Sequence, residues 1–142
     1  MADMKTMDGG FLETSIALSA GADITSVCGA ASDSTISFSL QAAKKYNKKV
    51  IVDMIGVKDQ IKRAKSVFSL GVHYVCFHIG LDEQAKGISV LNKIKKHKLK
   101  HTAIAGGGSL ENIEKVLKLR PEIVIVGSAI TNAKVPERLL KN

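Results

Sequence analysis

The sequence has 142 residues, of which 45% are hydrophobic and 24% are charged. This balance excludes a disordered chain and is typical of a globular domain. No apolar run approaches the ~20 residues that a membrane-spanning helix needs, and the opening segment lacks the apolar stretch of a secretory signal. We therefore expect a soluble, cytoplasmic protein without a membrane partner.

The net charge of +8 comes from 21 Lys and Arg against 13 Asp and Glu. Half of the lysines cluster near the ends of two predicted helices, where a cation interacts favourably with the helix dipole. They are Lys44, Lys45, Lys48 and Lys49, then Lys93, Lys95, Lys96, Lys98 and Lys100. Aromatic residues make up only 4%, too few for the stacking platforms that bind single strands. We expect solvated lysines and an anionic small molecule, not nucleic acid.

Short apolar runs rich in Val and Ile alternate with longer amphipathic segments. Nearly continuous apolar runs are typical of parallel strands that are buried on both faces. The predicted strands are Ala22–Cys28, Lys49–Ile55, Tyr74–Ile79, Thr102–Ala105 and Ile123–Val126, with the opening MADMK as the stub of another. The predicted helices are Gly10–Ser19, Ser34–Tyr46, Asp59–Leu70, Glu83–Lys96, Leu110–Lys118 and Pro136–Leu140, with Asp33 as a candidate N-cap of the second.

The regular alternation of strands and helices predicts βα units and a parallel sheet. No linker divides the chain, so we expect one domain over residues 1–142. A complete eight-stranded βα barrel needs ~200 or more residues. The residues therefore predict an α/β fold with a parallel sheet of about six βα units, too few for a complete barrel.

The first candidate site is the D-x-K-x-x-D pattern formed by Asp3, Lys5 and Asp8. Residues i and i+2 of a strand point the same way, so Asp3 and Lys5 would project together from the strand end, with Asp8 in the loop. A carboxylate can bind a metal or a substrate hydroxyl, and an ammonium can stabilise an oxyanion. A charged, disordered terminus is the alternative interpretation.

The second candidate is His78, which follows the apolar run VHYVCF and precedes a glycine. A histidine at the carboxyl end of such a strand lies on the catalytic face of a βα fold, and its pKa suits proton transfer. A buried, hydrogen-bonded histidine is the structural alternative. Asp53 also ends a predicted strand, where it could join the site or simply pair with Lys5.

The third and fourth candidates are two glycine loops, each between a strand and a helix. Gly106 and Gly107 follow TAIA, and Gly127 and Ser128 follow IVIV. Exposed backbone amides at a helix start can bind phosphate oxygens, and loops after the last two strands of a βα barrel frequently do so. Tight turns without a ligand are the alternative.

The order DMKTMDGG, SVCGA, VDMIGVKD, HIGLDEQ, AIAGGGSLENI and IVIVGSAI resembles the orotidine-phosphate decarboxylase suprafamily, and within it the hexulose-6-phosphate synthases. The resemblance implies a dimeric (βα)8 barrel, of which this chain matches strand 3 through helix 8, so the fold expected for the chain is an incomplete (βα)8 barrel. It implies an aldehyde-lyase that requires Mg²⁺. The reaction would join formaldehyde to ribulose 5-phosphate through a metal-stabilised enediolate.

The resemblance also implies roles for the candidate residues. Asp3 would bind the metal or substrate, Lys5 would contact the enediolate, and Asp8 would reach across the interface of a homodimer. His78 would be an acid/base or a hydroxyl ligand. The phosphate would be held by Gly106, Gly107, Gly127 and Ser128.

Two alternatives remain at this point. The related 3-keto-L-gulonate-6-phosphate decarboxylases typically carry an arginine after the equivalent histidine, whereas this chain has Ile79, Gly80 and Leu81, which favours the synthase. The family also has two further βα units before D-x-K-x-x-D, which carry a substrate-binding aspartate and a metal-binding glutamate. A non-catalytic sugar-phosphate-binding fragment is therefore the second alternative.

Overall fold

The computed structural model describes residues 1–84, 99–106 and 113–133, and these form an α/β half-barrel. Six parallel strands pair in chain order, from β1 to β6. They are β1 Ala2–Thr6, β2 Ile24–Cys28, β3 Lys49–Asp53, β4 Tyr74–His78, β5 Thr102–Ala105 and β6 Ile123–Ile125. The described helices are α1 Gly10–Ser19, α2 Asp33–Tyr46, α3 Gln60–Ser69, α4 Leu81–Gln84, α5 Ile113–Leu117 and α6 Ser128–Thr131. The predicted fold class is confirmed.

The sheet buries apolar side chains on both faces, as the continuous Val and Ile runs predict. On the outer face, Val27, Val52 and Phe77 form the main core with helix residues such as Ile36 and Val67. The inner face carries a second, smaller cluster of Ile51, Cys76, Ala103 and Ala105. Successive residues of a strand alternate between the two faces of the sheet. The last inward-facing side chain of each strand therefore lies on the inner face, at the carboxyl edge of the sheet.

Several predicted boundaries differ from the structure by one or two residues. The predicted N-cap of α2 is wrong, because the cap is Ser32, whose extended backbone lets its Oγ accept a hydrogen bond from the Thr35 amide at 3.1 Å. Asp33 is instead the first residue of the helix and pairs with Arg63. The opening segment, predicted as a stub, forms a five-residue strand.

Three helix predictions fall wholly or partly outside the described residues. The helix predicted over Glu83–Lys96 begins at Leu81 and is described to Gln84. The helix predicted over Leu110–Lys118 is described over Ile113–Leu117, and Pro136–Leu140 is not among the described residues. Within the described part of the chain, no helix has the length and apolar character that crossing a membrane requires.

Candidate active site

Ionisable side chains from three strands converge at the inner carboxyl edge of the sheet. Asp3 and Lys5 come from β1, Asp53 ends β3 and His78 ends β4. Together they line a small pocket that is open to solvent. Its other walls are Met1, Ser26, Ile51, Cys76, Ala105 and Ile125. Parallel pairing explains the convergence, since the carboxyl ends of all six strands meet at one edge.

The Lys5 ammonium bridges the two carboxylates. Its Nζ lies 2.5 Å from Asp3 Oδ2 and 3.2 Å from Asp53 Oδ2. Burial opposes the charge on Lys5, but the hydrogen bond to Asp3 and the field of Asp53 outweigh it and raise the lysine pKa. Lys5 is therefore a cation at neutral pH and can stabilise negative charge, but it cannot serve as a base.

Asp3 has a second hydrogen-bond partner, Ser26, besides Lys5. Burial raises the pKa of Asp3, but the hydrogen bonds from Lys5 and Ser26 lower it by more than burial raises it, so the net pKa shift is downward. Ser26 Oγ donates to Asp3 Oδ1 at 2.7 Å. The predicted adjacency of Asp3 and Lys5 is confirmed, whereas Ser26 was not predicted, because a serine inside the strand ITSVC carries no distinguishing signal.

The local geometry of β1 differs from the regular strand that the i, i+2 argument assumes. Ala2 pairs with Thr25 and Thr6 with Val27, so four steps on β1 oppose two on β2. Lys5 has a φ of 48°, and its amide donates to Ser26 Oγ at 2.9 Å. A left-handed lysine costs about 1–3 kcal/mol and persists only where its surroundings fix it. Here the bulge aims the ammonium between the carboxylates.

Asp53 and His78 form a hydrogen-bonded pair. His78 Nδ1 lies 2.9 Å from both Asp53 carboxylate oxygens, and the Asp53 side chain is only 6% exposed. Burial raises the pKa of Asp53, but the hydrogen bonds from His78 and the Ile55 amide, with the charge of Lys5, give a net lowering. The carboxyl group is therefore ionised and can only accept, so Nδ1 carries the proton.

This tautomer leaves the second ring nitrogen of His78 with a free lone pair. Among the described residues, His78 makes ring hydrogen bonds through Nδ1 and none through Nε2, and its side chain, 17% exposed, lines the pocket. A carboxylate that fixes the tautomer and stabilises the imidazolium makes the opposite nitrogen an effective base. The sequence left two roles open for Asp53, a place in the site or an ion pair with Lys5. In the structure Asp53 does both.

Asp8 lies apart from this cluster. It is exposed in the loop after β1, where its Oδ1 accepts a hydrogen bond from the Gly9 amide at 2.7 Å, and it does not line the pocket. This chain alone does not bring Asp8 to the other candidate residues. Its role across a dimer interface stays a prediction.

The glycine loops open at the same edge, beyond β5 and β6. Gly106 follows β5 in the left-handed region, with a φ of 85°, next to Ala105, which is in register with His78. Gly127 is exposed and directly precedes α6. Its carbonyl accepts hydrogen bonds from the amides of Ile130 and Thr131 in that helix. Gly107 and the side chain of Ser128 lie outside the described part of the structure. Phosphate binding stays a prediction.

The donor set can be compared with what Mg²⁺ needs. Among the described residues, no group of three His, Cys, Asp or Glu side chains is arranged to hold a metal. Mg²⁺, however, is usually bound by one or two carboxylates, with water and substrate oxygens completing its shell. Asp3 is 52% exposed at the pocket mouth, so it fits as one such carboxylate.

Comparisons with known proteins identify the family. The family model "Orotidine 5'-phosphate decarboxylase / HUMPS family" matches residues 1–142. A relative from Bacillus subtilis (strain 168), named 3-hexulose-6-phosphate synthase, is 46% identical over 94% of this chain. The chain spans 65% of the length of that relative.

Solved structures extend the comparison to the fold. A crystal structure of 3-hexulose-6-phosphate synthase superposes with a TM-score of 0.92 at 44% identity, covering 99% of this chain and 69% of that one. A 3-keto-L-gulonate-6-phosphate decarboxylase from Vibrio cholerae gives a TM-score of 0.78 at 27% identity, covering 95% and 65%. The sequence match along the whole chain and the shared fold lead to one conclusion: the chain belongs to the orotidine 5'-phosphate decarboxylase / HUMPS family.

Proposed function

We propose that this protein acts as a hexulose-6-phosphate synthase, an aldehyde-lyase that joins formaldehyde to D-ribulose 5-phosphate. The observation that carries the proposal is the Asp53–His78 pair beside the Lys5 ammonium, at 2.9 Å and 3.2 Å from the same carboxylate. This arrangement sets an oriented base next to a fixed positive charge. The relatives at 44–46% identity named as synthases support the choice of substrates.

The first step assigned to these residues is a proton transfer. Nε2 of His78 would take a proton from C1 of ribulose 5-phosphate, beside the C2 ketone, to give an enediolate. Asp53 would stabilise the imidazolium that forms. An oriented acid/base of this kind increases the reaction rate by about 10²–10⁴-fold.

The second step forms the carbon–carbon bond. C1 of the enediolate attacks the formaldehyde carbon, and the formaldehyde oxygen takes the proton that His78 removed. The product is 3-hexulose 6-phosphate, and no proton is gained or lost overall. Lys5, whose raised pKa keeps it charged, would lie against the developing negative oxygen.

Mg²⁺ is proposed as the cofactor, with Asp3 as one ligand. When bound, it supplies further positive charge for the substrate oxygens. The phosphate would lie over the backbone amides of the Gly106–Gly107 and Gly127–Ser128 loops. Backbone amides suit this task because they bind anions without bringing a side chain into the space that the phosphate needs.

A homodimer is proposed on separate grounds. Large apolar side chains on β1, on α1 and in the loop between them face solvent: Met4, Met7, Phe11, Leu12 and Ile16, each between 40% and 66% exposed. Asp8 lies in the loop between these two elements. A second copy would cover this surface and could bring Asp8 near the partner's pocket. The molar mass from light scattering during gel filtration tests this, and a monomer at every concentration would contradict it.

The activity is tested by following ribulose 5-phosphate with purified protein and Mg²⁺, with and without formaldehyde. We expect consumption that requires formaldehyde, with 3-hexulose 6-phosphate as the product. Release of CO₂ from 3-keto-L-gulonate 6-phosphate, without condensation, would favour the decarboxylase instead. Sugar-phosphate binding without turnover, and without an effect of Mg²⁺, would favour the non-catalytic fragment.

A further inference from the structure

Strand β4 continues past its neighbour β3 at the site. The ladder between them ends where Asp53 pairs with Cys76, and the last bond runs from the Met54 amide to the Cys76 carbonyl at 2.9 Å. His78 lies two residues further along β4. The amide and carbonyl of His78 that face β3 therefore have no strand to bond to.

The side chain of Gln60 takes the place of the missing strand. Its Nε2 donates to the His78 carbonyl at 2.8 Å, and its Oε1 accepts from the His78 amide at 3.3 Å. A primary amide group has the same donor and acceptor as a peptide unit, so it can complete both positions of the ladder at once. On the other side of β4, the ladder to β5 continues past His78, since the Ile79 amide donates to the Ala105 carbonyl at 3.3 Å.

Gln60 can do this because its helix is fixed at the same edge. It is the first residue of α3, directly after Asp59, whose carboxylate caps the helix by accepting from the Lys62 amide at 3.0 Å. One turn later, Arg63 donates to the carbonyls of Gly29 and Ala31 at 2.7 and 2.9 Å. The start of α3 is thus tied to the loop after β2.

We propose that Gln60 is a positioning residue for His78: its side-chain amide extends the β4 ladder and so fixes the backbone from which the imidazole meets Asp53. Gln60 does not line the pocket, so it acts through His78 alone. The role in turnover rests on the proposed function, but the effect on the imidazole does not. Misplacing a catalytic group by about 1 Å can cost on the order of 10²-fold in rate.

The test uses Gln60→Met, which keeps the size and helix propensity but removes both hydrogen bonds, and Gln60→Glu, which keeps only the acceptor. Gln41→Met, an exposed glutamine on α2, is the matched control. The first readout is the ¹⁵N spectrum of the neutral His78 imidazole, assigned with His78→Gln. The second is kcat and KM for the condensation.

We expect the wild type and Gln41→Met to hold His78 in the Nδ1–H tautomer. Both Gln60 variants should give a mixture of tautomers and a kcat lower by roughly tenfold to a hundredfold, with little change in KM. Circular dichroism identifies a variant that is unfolded, and the other variant then decides. Folded Gln60 variants with the wild-type tautomer would overturn the proposal. A changed tautomer in a protein without condensation activity would uphold it and reject the proposed function.

Discussion

The carboxyl edge of the sheet has two halves of different character. Near this edge, strands β1, β3 and β4 carry ionisable side chains that bind one another. The nitrogen–oxygen distances around Lys5 and Asp53 are 2.5–3.2 Å. The strands β5 and β6 instead lead into Gly106 and Gly127. The first half can move a proton and stabilise charge, while the second offers backbone groups for an anion. We infer that chemistry and binding are divided along the edge.

The two halves also depend on different physical conditions. The charged half requires buried partners, because an isolated charge there would be costly and would lose its ionised form. The glycine half needs only open space, and a Cβ at Gly127 would meet no atom of the described residues within 4 Å. Mutations should therefore affect turnover in the first half and substrate affinity in the second.

The largest effect is expected for His78→Gln, which keeps the approximate size but removes the base. Turnover should fall by roughly 10²–10⁴-fold with little change in stability. His101→Gln is the control, since His101 is 61% exposed just before β5, contacts Glu122 and the Tyr74 ring, and does not line the pocket. Condensation rates for both variants make the comparison. A His78→Gln rate close to that of the wild type would refute the assignment.

Asp53→Asn should reduce both turnover and stability. Turnover should fall about tenfold to a hundredfold, because the amide no longer fixes the Nδ1–H tautomer. Because the pKa of Asp53 is lowered on folding, its stabilising effect is present above the unfolded value of about 3.9 and is lost as pH falls through the folded value. The free energy of unfolding should drop by about 1–3 kcal/mol at pH 7.

Urea denaturation at pH 7 and pH 3 measures this difference. The gap between wild type and Asp53→Asn should narrow at pH 3, because this pH is below the unfolded pKa of about 3.9 and part of the stabilising contribution is then lost. Asp23→Asn provides the control, because the Asp23 side chain is 79% exposed and its pair with Lys48 is on the surface. An equal gap at both pH values would show that the Asp53 charge does not stabilise the fold.

In the glycine half, Gly127→Asp and Gly127→Ala form a matched pair. The open space around Gly127 should accept an alanine without loss of stability. The aspartate adds a negative charge that repels a phosphate, so KM for ribulose 5-phosphate should rise about tenfold while kcat changes little. Steady-state kinetics decide the point. Equal KM values for the two variants would remove Gly127 from the phosphate site.

The smallest effect on turnover is expected for Arg63→Ala. Arg63 ties α3 to the loop after β2 and pairs with Asp33 at 2.6 Å, but it does not line the pocket. Thermal unfolding should show that the free energy of unfolding falls by about 1–3 kcal/mol, while the turnover rate stays within a few-fold of the wild type. Lys65→Ala, exposed on the same helix, should change neither. A loss of turnover as large as that of His78→Gln would mean that the division between the two halves is wrong.

The sequence predicts the fold well because parallel strands that are buried on both faces leave a strong signal in runs such as VIVD and YVCFH. The adjacency of Asp3 and Lys5 follows from strand periodicity. Their bulge does not, because it depends on pairing with Ser26 across strands. Gln60 was beyond prediction for a similar reason, since its role depends on where β3 ends relative to β4. The role predicted for Asp8 depends on the proposed second copy of the chain, so a single chain cannot test it.

The central claim is that His78 removes a proton from C1 of ribulose 5-phosphate, and this step does not require formaldehyde. Proton NMR in D₂O, with protein and Mg²⁺ but without formaldehyde, therefore tests it most directly. We predict that one C1 proton exchanges for deuterium with the wild type, and that His78→Gln abolishes the exchange while His101→Gln retains it. No exchange with the wild type, or equal exchange with His78→Gln, would contradict the account.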